Sequence, residues 1–368
     1  MTEPTAAVPS TDQVRSARQK YSCPACGAEA DWNPAKQALV CPFCGTVSPA
    51  TLTTRGPDTV VVEHDLVAAL RNIPDSARGW QAAKISVRCQ SCQAISVFDA
   101  AQIGKRCDFC GSTALVPYEQ VKEDIRPESL LPMKVSESQA RDLIRAWYGR
   151  QWLAPNQFAG KAMTDTVKGI YLPYWTFDAQ ADARWTAESG EYYYVQQNNQ
   201  RVRRVKWTPV SGQLSHFFND DLVCASVGVN AERLRHIEPF PTESLVPYDP
   251  GYLAGWTVER YQIDLVSAAE RSRQQMNAAL RELCGQQVPG DTYRDLVVDA
   301  TFTGQTFKHI LVPLWLLTYV YGARSFQVAV NGVTGATSGS RPWSWIKVSL
   351  LVLAIAIIAL FVIYANNS

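Results

Sequence analysis

Residues 23–44 read CPACGAEADWNPAKQALVCPFC, and residues 89–110 read CQSCQAISVFDAAQIGKRCDFC. Both stretches have the form C-x2-C-x14-C-x2-C, and Cys23, Cys26, Cys41 and Cys44 each recur 66 positions later as Cys89, Cys92, Cys107 and Cys110. A C-x-x-C step lets one tight turn aim two sulfurs at the same ion, and four thiolates make the closed tetrahedral shell of a structural Zn²⁺ site. The repeat therefore reads as a duplicated zinc ribbon with one zinc ion in each copy. Gly27, Gly45 and Gly111 follow three of the four steps, where a left-handed backbone turns amides toward the thiolates; Gln93 stands in the fourth. Phe43 and Phe109 hold matching positions and are expected to pack over the metal. Iron, alone or in an iron–sulfur cluster, is the alternative occupant of the same ligands. Redox use of the pairs fits less well, since four matched pairs are an odd way to build one redox centre. The bland reading is that zinc only staples units too small to fold without it. Cys224 and Cys284 lie outside the pattern and read as small buried hydrophobes.

The rest of the 368-residue chain is long enough for two or three domains, and its 46% apolar and 19% charged composition is globular. Ten cysteines without an apolar leader suggest metal-bound thiolates in a reducing compartment rather than disulfides. The formal net charge is +1, and metallation lowers it, because eight thiolates on two Zn²⁺ add four negative charges. Ribbon 1 carries Glu29 and Asp31 against Lys36. Ribbon 2 carries Lys84, Arg88, Lys105 and Arg106 against Asp99 and Asp108, an excess that its metal site cancels. Affinity for phosphate backbones follows the number of cationic contacts, so the ribbons point away from nucleic acid and toward protein partners.

Along the chain, residues 1–20 read as a disordered arm, 21–50 as ribbon 1, 51–80 as a linker with a short helix (Leu66, Leu70 and Ile73 on one face), and 81–118 as ribbon 2. Residues 130–342 read as one α+β domain with a mainly antiparallel sheet. Ser136–Trp152 is an amphipathic helix with a cap-like start, and Asp264–Cys284 is a long helix closed by Gly285. Strands are expected over Gly169–Asp182, Gly190–Gln197, Arg201–Leu214, Asp295–Phe302, Ile310–Tyr321 and Ser325–Val330, with a tight type I′ turn at Asn331-Gly332. Ile346–Tyr364 holds nineteen residues with one charge, Lys347, and reads as a single transmembrane helix. Trp343 and Trp345 at one end and Tyr364 at the other would be its interfacial aromatics. Arg324, Arg341 and Lys347 on its N-terminal side would keep the bulk of the protein in the cytoplasm, a single-pass tail anchor in the inner membrane.

No phosphate-binding loop surrounds Gly104-Lys105 or Gly160-Lys161, and the four histidines (His64, His216, His236, His309) are scattered. Asp178 and Asp182 would share a strand face, where a solvated pair explains them better than acid–base chemistry. The aromatics Tyr171, Tyr174, Trp175, Phe177, Trp185 and Tyr192–Tyr194 fit a sheet core at least as well as a ligand groove. The residues give no reason to expect an enzyme.

LLPMKV at 130–135, GIYLPYWTFDA at 169–179, VPLWLLTY at 312–319 and VNGVTG at 330–335 resemble a bacterial family of zinc-ribbon membrane proteins often labelled similar to primosomal protein N′. This chain lacks that helicase's phosphate-binding loop, so the resemblance implies no motor. Related membrane proteins act in envelope-stress systems with phage-shock-protein-A-like or flotillin-like (SPFH) partners, which implies a membrane recruiter. The expectation is thus a non-enzymatic, membrane-anchored zinc-ribbon adaptor that touches membrane lipid and recruits protein partners. A replication-linked, nucleic-acid-associated factor is the alternative, and an enzyme acting on a lipid or small molecule in the α+β domain is the third reading.

Overall fold

From Phe177 onward the chain alternates Phe177, Ala179, Ala181, Ala183, Trp185 and Ala187, all buried, with Gln180, Asp182, Arg184, Thr186 and Glu188, which are half-buried or exposed. That period of two puts the small residues on one face of a strand, and a helix lies against them. The computed structural model describes residues 23–48, 61, 63–71, 85–98, 106–118, 125–155, 167–197, 200–229, 234–321 and 324–367. The expected arm at 1–20 and the expected helix residue Ile73 lie outside the described residues.

Ribbon 1 contributes β1 (Asp31–Asn33), β2 (Ala38–Val40) and β3 (Val47–Ser48), a separate three-stranded antiparallel sheet. β4 (His64–Asp65) leads into α1 (Leu66–Arg71), whose buried positions are Leu66 and Ala69; Leu70 is exposed, so the face expected from Leu66 and Leu70 shifts by one residue. Ribbon 2 contributes β5 (Ile85–Cys89), β6 (Ile95–Phe98) and β7 (Leu115–Tyr118). β8 (Ser129–Leu130) precedes α2 (Glu137–Gly149), which starts at a complete capping box between Ser136 and Gln139.

Then come β9 (Val167–Gln197) and β10 (Gln200–Cys224), the short β11 (Val246–Pro247) and β12 (Thr257–Glu259), and α3 (Leu265–Gln287) with Asp264 as its N-cap. β13 (Thr292–Tyr321), β14 (Arg324–Asn331), β15 (Thr337–Gly339) and α4 (Trp345–Asn367) complete the chain.

The strands expected as separate pieces are therefore continuous. β9 pairs antiparallel with β13 from Val167/Leu317 to Gly190/Thr292, and with β10 from Tyr174/Cys224 to Gln197/Gln200. Ala183–Ser189 is poor in strand-forming residues, but hydrogen bonding on both edges overrides local preference. The result is a three-stranded blade standing on a broader base. At the base, Ile170–Ala179 is buried without alternation because both sheet faces are covered. Ile170, Leu172, Tyr174, Ile310, Val312 and Leu314 pack on one side. Tyr171 and Leu311 pack with Leu130, Leu253 and Val258 on the other.

Higher on the blade only one face is covered. α3 is about 34 Å long at 1.5 Å per residue, which matches the strand length from Phe177 to Ala187, about 33 Å. Its Ala268, Met276, Leu280 and Cys284 are buried against that alanine face, so Cys284 is the buried small hydrophobe expected of it. Gly285 is not the helix stop. It lies inside α3, where a Cβ would collide with the Tyr293 hydroxyl, and the cap is Val288. The turn at Asn331-Gly332 is also not type I′, since neither residue has positive φ. Buried Asn331 instead accepts from Val333 N and Thr334 N and donates to Ile237 O, and the left-handed residue is Gly335 at φ 78.

The expected transmembrane helix is corrected. Among the described residues no helix is long and apolar enough to cross a membrane. Lys347, expected at a lipid interface, donates instead to the carbonyls of Trp152 (2.9 Å) and Ala154 (2.8 Å). Trp343 lies under the Arg341 guanidinium, Trp345 is exposed, and the Tyr364 side chain lies outside the described residues.

Candidate metal centres

All four C-x-x-C steps fold into the same knuckle. The amide four residues after the first cysteine donates to that cysteine's carbonyl: Gly27 to Cys23, Gly45 to Cys41, Gln93 to Cys89 and Gly111 to Cys107, at 2.8–2.9 Å. Each first cysteine in turn donates its own amide to the carbonyl five residues on. The turn needs a left-handed residue, supplied by Gly27, Gly45 and Gly111 at φ 72, 72 and 73, and by Gln93 at φ 64. Gln93 meets the same geometry and ties its side chain to Gln90 O at 2.8 Å.

The knuckles converge in pairs. In each set the four sulfurs lie within 4.8 Å of one another, so Cys23, Cys26, Cys41 and Cys44 form one candidate metal centre and Cys89, Cys92, Cys107 and Cys110 the other. The closest sulfurs are Cys23–Cys44 at 3.4 Å, Cys26–Cys41 at 3.5 Å, Cys89–Cys110 at 3.5 Å and Cys92–Cys107 at 3.6 Å. Sulfurs placed 2.3 Å from a shared tetrahedral centre sit about 3.8 Å apart, so both sets fit a bound ion. They are too far apart for disulfides, whose sulfurs lie about 2.05 Å apart. Each set holds a thiol that ionises readily. Thr46, mainly through its hydroxyl, lowers the Cys44 pKa, and the hydrogen bond from the Cys92 thiol lowers that of Cys107.

The two copies are used differently. Ribbon 2 is merged into the main sheet: β5 pairs with β6 and β7, and β6 pairs with β12, which lies beside β9. Phe109 is fully buried with Cys89 and Cys107 against Ile170, Leu172 and Leu316. Its carbonyl accepts from Thr318 Oγ1 at 2.7 Å and from Gln327 Nε2. Asp108 accepts from Thr257 Oγ1 at 3.0 Å and pairs with Lys168.

Ribbon 1 stays outside that sheet and docks through its strand side. Trp32 donates to Met133 O and its ring meets Tyr252 at 4.6 Å, while Ala30 and Leu39 are buried beside Ile144 and Trp315. Its metal end faces outward. Cys26 and Cys44 are exposed, and Phe43 is 81% exposed, against 0% for Phe109. Packing over the metal was expected at both positions and is not found at Phe43. A cleft of about 660 Å³ separates the Asn33–Ala35 turn of ribbon 1 from Asp108, the first turn of α2, Trp256 and Trp315.

The other candidate groups are each accounted for locally. Asp178 accepts from Asp220 N and Thr306 Oγ1, while Asp182 accepts from Ser215 Oγ, so they do not act as a pair. Tyr171, Tyr174, Trp175 and Phe177 are core. His309 is fully buried, hydrogen-bonded to Ile125 O at 2.9 Å, and held neutral by a pKa that burial pushes down to about 4. His64 contacts Glu128, whose carboxyl burial pushes up to about 8. Lys308 bridges Glu63 and Asp220 at 3.0 and 2.7 Å. The half-buried Cys224 thiol is pushed up to about 12, chiefly by burial, and is not poised as a nucleophile.

Comparison with known proteins adds one likeness. The chain is similar to the uncharacterized protein YdjG of Bacillus subtilis (strain 168), 23% identical over 251 residues that cover 64% of this chain and 70% of that one. That protein is uncharacterized, so the likeness brings no activity with it. No family model matches, and no solved structure matches significantly.

Proposed function

We propose that this chain is a non-enzymatic docking protein whose two four-cysteine centres hold Zn²⁺. The closed thiolate shells leave no open coordination position for chemistry, which supports a structural metal. One observation carries the docking role: the same aromatic of the repeat is core in one copy and 81% exposed in the other. The zinc of ribbon 2 staples β5, β6 and β7 to the base. The zinc of ribbon 1 holds a knuckle that presents Phe43 to a partner protein. A large apolar side chain on a rigid, metal-fixed turn loses little entropy on binding, which suits it as an interface anchor.

The test uses the full chain as bait in the wild-type form and as Phe43→Asp, with metal analysis on each sample. Two zinc ions per chain in both forms, with partners lost only from the variant, is the expected result. Unchanged partners, or a metal other than zinc at either centre, would overturn the reading.

A further inference from the structure

β9 and β10 continue past the end of β13. Below Gly190, β9 is flanked by β13; above it, residues 191–197 and 200–207 form a two-stranded hairpin that no third strand joins among the described residues. This tip stands up to roughly 75 Å of strand from the ribbon end of the blade, at about 3.3 Å per residue over Val167–Gly190. Arg201, Arg203, Arg204 and Lys206 lie within six residues, and Glu191 is the only acid between positions 191 and 207. All four cations are exposed or half-buried, and among the described residues none is ion-paired; lower on the blade, Arg294 is held by Glu188.

The register sorts them. Arg203 lies opposite Tyr194 and Arg204 opposite Tyr193, so one face carries Tyr192, Tyr194, Arg201 and Arg203, and the other carries Tyr193, Arg204 and Lys206, with Glu191 opposite Lys206. On the first face, Arg203 stacks over Tyr192 at 4.4 Å and Arg201 over Tyr194 at 5.4 Å, which holds the guanidiniums out with their edges free. The three tyrosines are 36%, 45% and 58% exposed. R-V-R-R-V-K was legible in the sequence as four cations in six residues, but only the hairpin shows that they divide between two faces at a free end.

We infer that this hairpin tip binds a nucleic-acid duplex, entering a groove with a phosphate wall along each face. Two observations choose this partner. The first is a net charge of +3 over residues 191–207, where four cations face a single carboxylate, Glu191. The second is the division of cations and tyrosines between both faces. A single strand or a flat acidic protein surface would engage one face and leave the other's cations in water. A two-stranded ribbon is narrow enough for a major groove about 12 Å wide. The ribbons, neutral or acidic once metallated, take no part. This surface is separate from Phe43, so it stands or falls independently of the docking role.

The test is fluorescence anisotropy of the full-length protein with a labelled, mixed-sequence DNA duplex about two helical turns long, over a series of salt concentrations. Four phosphate contacts predict a log K against log[salt] slope of about −3.6, at about −0.9 per contact. Arg204→Ala and Lys206→Ala should each make the slope shallower by about one contact's worth. Arg203→Lys should keep the slope, and Tyr193→Ala should weaken binding without changing it. These side chains lie on the surface, so the variants should melt with the wild type. The inference is overturned by absence of binding at low salt, by a slope indifferent to replacing all four cations with Ala, or by tighter binding to the matching single strand. Binding of polyglutamate or of phosphatidylglycerol vesicles in preference to the duplex would overturn it equally.

Discussion

Phe109→Ala and Phe43→Ala make the same change at the same position of two copies of one unit, so their difference isolates what the surroundings contribute. Phe109 is fully enclosed by the core at the foot of β9 and β13, and its carbonyl is tied to Thr318 and Gln327. Truncation there removes a buried ring and leaves a cavity between strands that are hydrogen-bonded on both sides and cannot close in. The expected cost is about 3–5 kcal/mol. Phe43 is 81% exposed, and its truncation should fall within about 0.5 kcal/mol of zero. Urea and thermal unfolding of both variants, each carrying two zinc ions, measures the difference directly. At roughly 2–4 °C per kcal/mol for domains of this size, Phe109→Ala should melt on the order of 10 °C lower. Equal losses, or a larger loss at Phe43, would refute the division of the repeat into a stapling copy and a presenting copy.

Loss of metal should be as unequal. Cys23→Ser is expected to remove one zinc and leave the main transition nearly in place, while Cys107→Ser removes one zinc and lowers the melting temperature sharply, read by metal analysis and calorimetry on the same samples. A chelator should empty the exposed Cys26/Cys44 side first, giving two kinetic phases in a colorimetric zinc-release assay. Glu128 predicts a pH effect. Its folded pKa is raised to about 8, so the stability it contributes is complete below about pH 4.3 and is lost as the pH rises toward 8. Glu128→Gln should therefore gain on the wild type with rising pH, by up to about 1.4 kcal/mol per pH unit; a melting-temperature gap that stays constant from pH 5.5 to about 7.5 would refute the assignment. Ala181→Leu, on the face beneath α3, should cost about 1–3 kcal/mol by overpacking, whereas the same change at exposed Asp182 should cost far less when both are compared in urea.

Local chemistry decided what could be read without coordinates. The C-x-x-C spacing and its glycines specify a knuckle within five residues, and the structure repeats that knuckle four times, even with Gln93 in the glycine's place. Ser136 and Asp264 announce their helices because a cap needs only a side chain and an amide two or three residues on. Gly285 and Asn331-Gly332 misled because their roles are set by non-local neighbours: Tyr293 at the glycine, and Ile237 at the asparagine. The length, apolarity and flanking residues of the segment after Trp345 suggest a membrane span, and none of them shows that Lys347 is held by carbonyls of another segment.

The sequence by itself thus determined two four-thiolate units and an α+β chain rich in strands. Tertiary structure decided how those units are used. It joined segments that look like separate strands into β9 and β13, because pairing on both edges outweighs the weak strand preference of Ala183–Ser189. It also set two ribbons of the same cysteine spacing in opposite environments, one merged with the sheet through β6 and β12 and one docked on Trp32. Burial is a property of neighbours far along the chain, so a repeat that is symmetric in its cysteine spacing became one buried unit and one exposed knuckle.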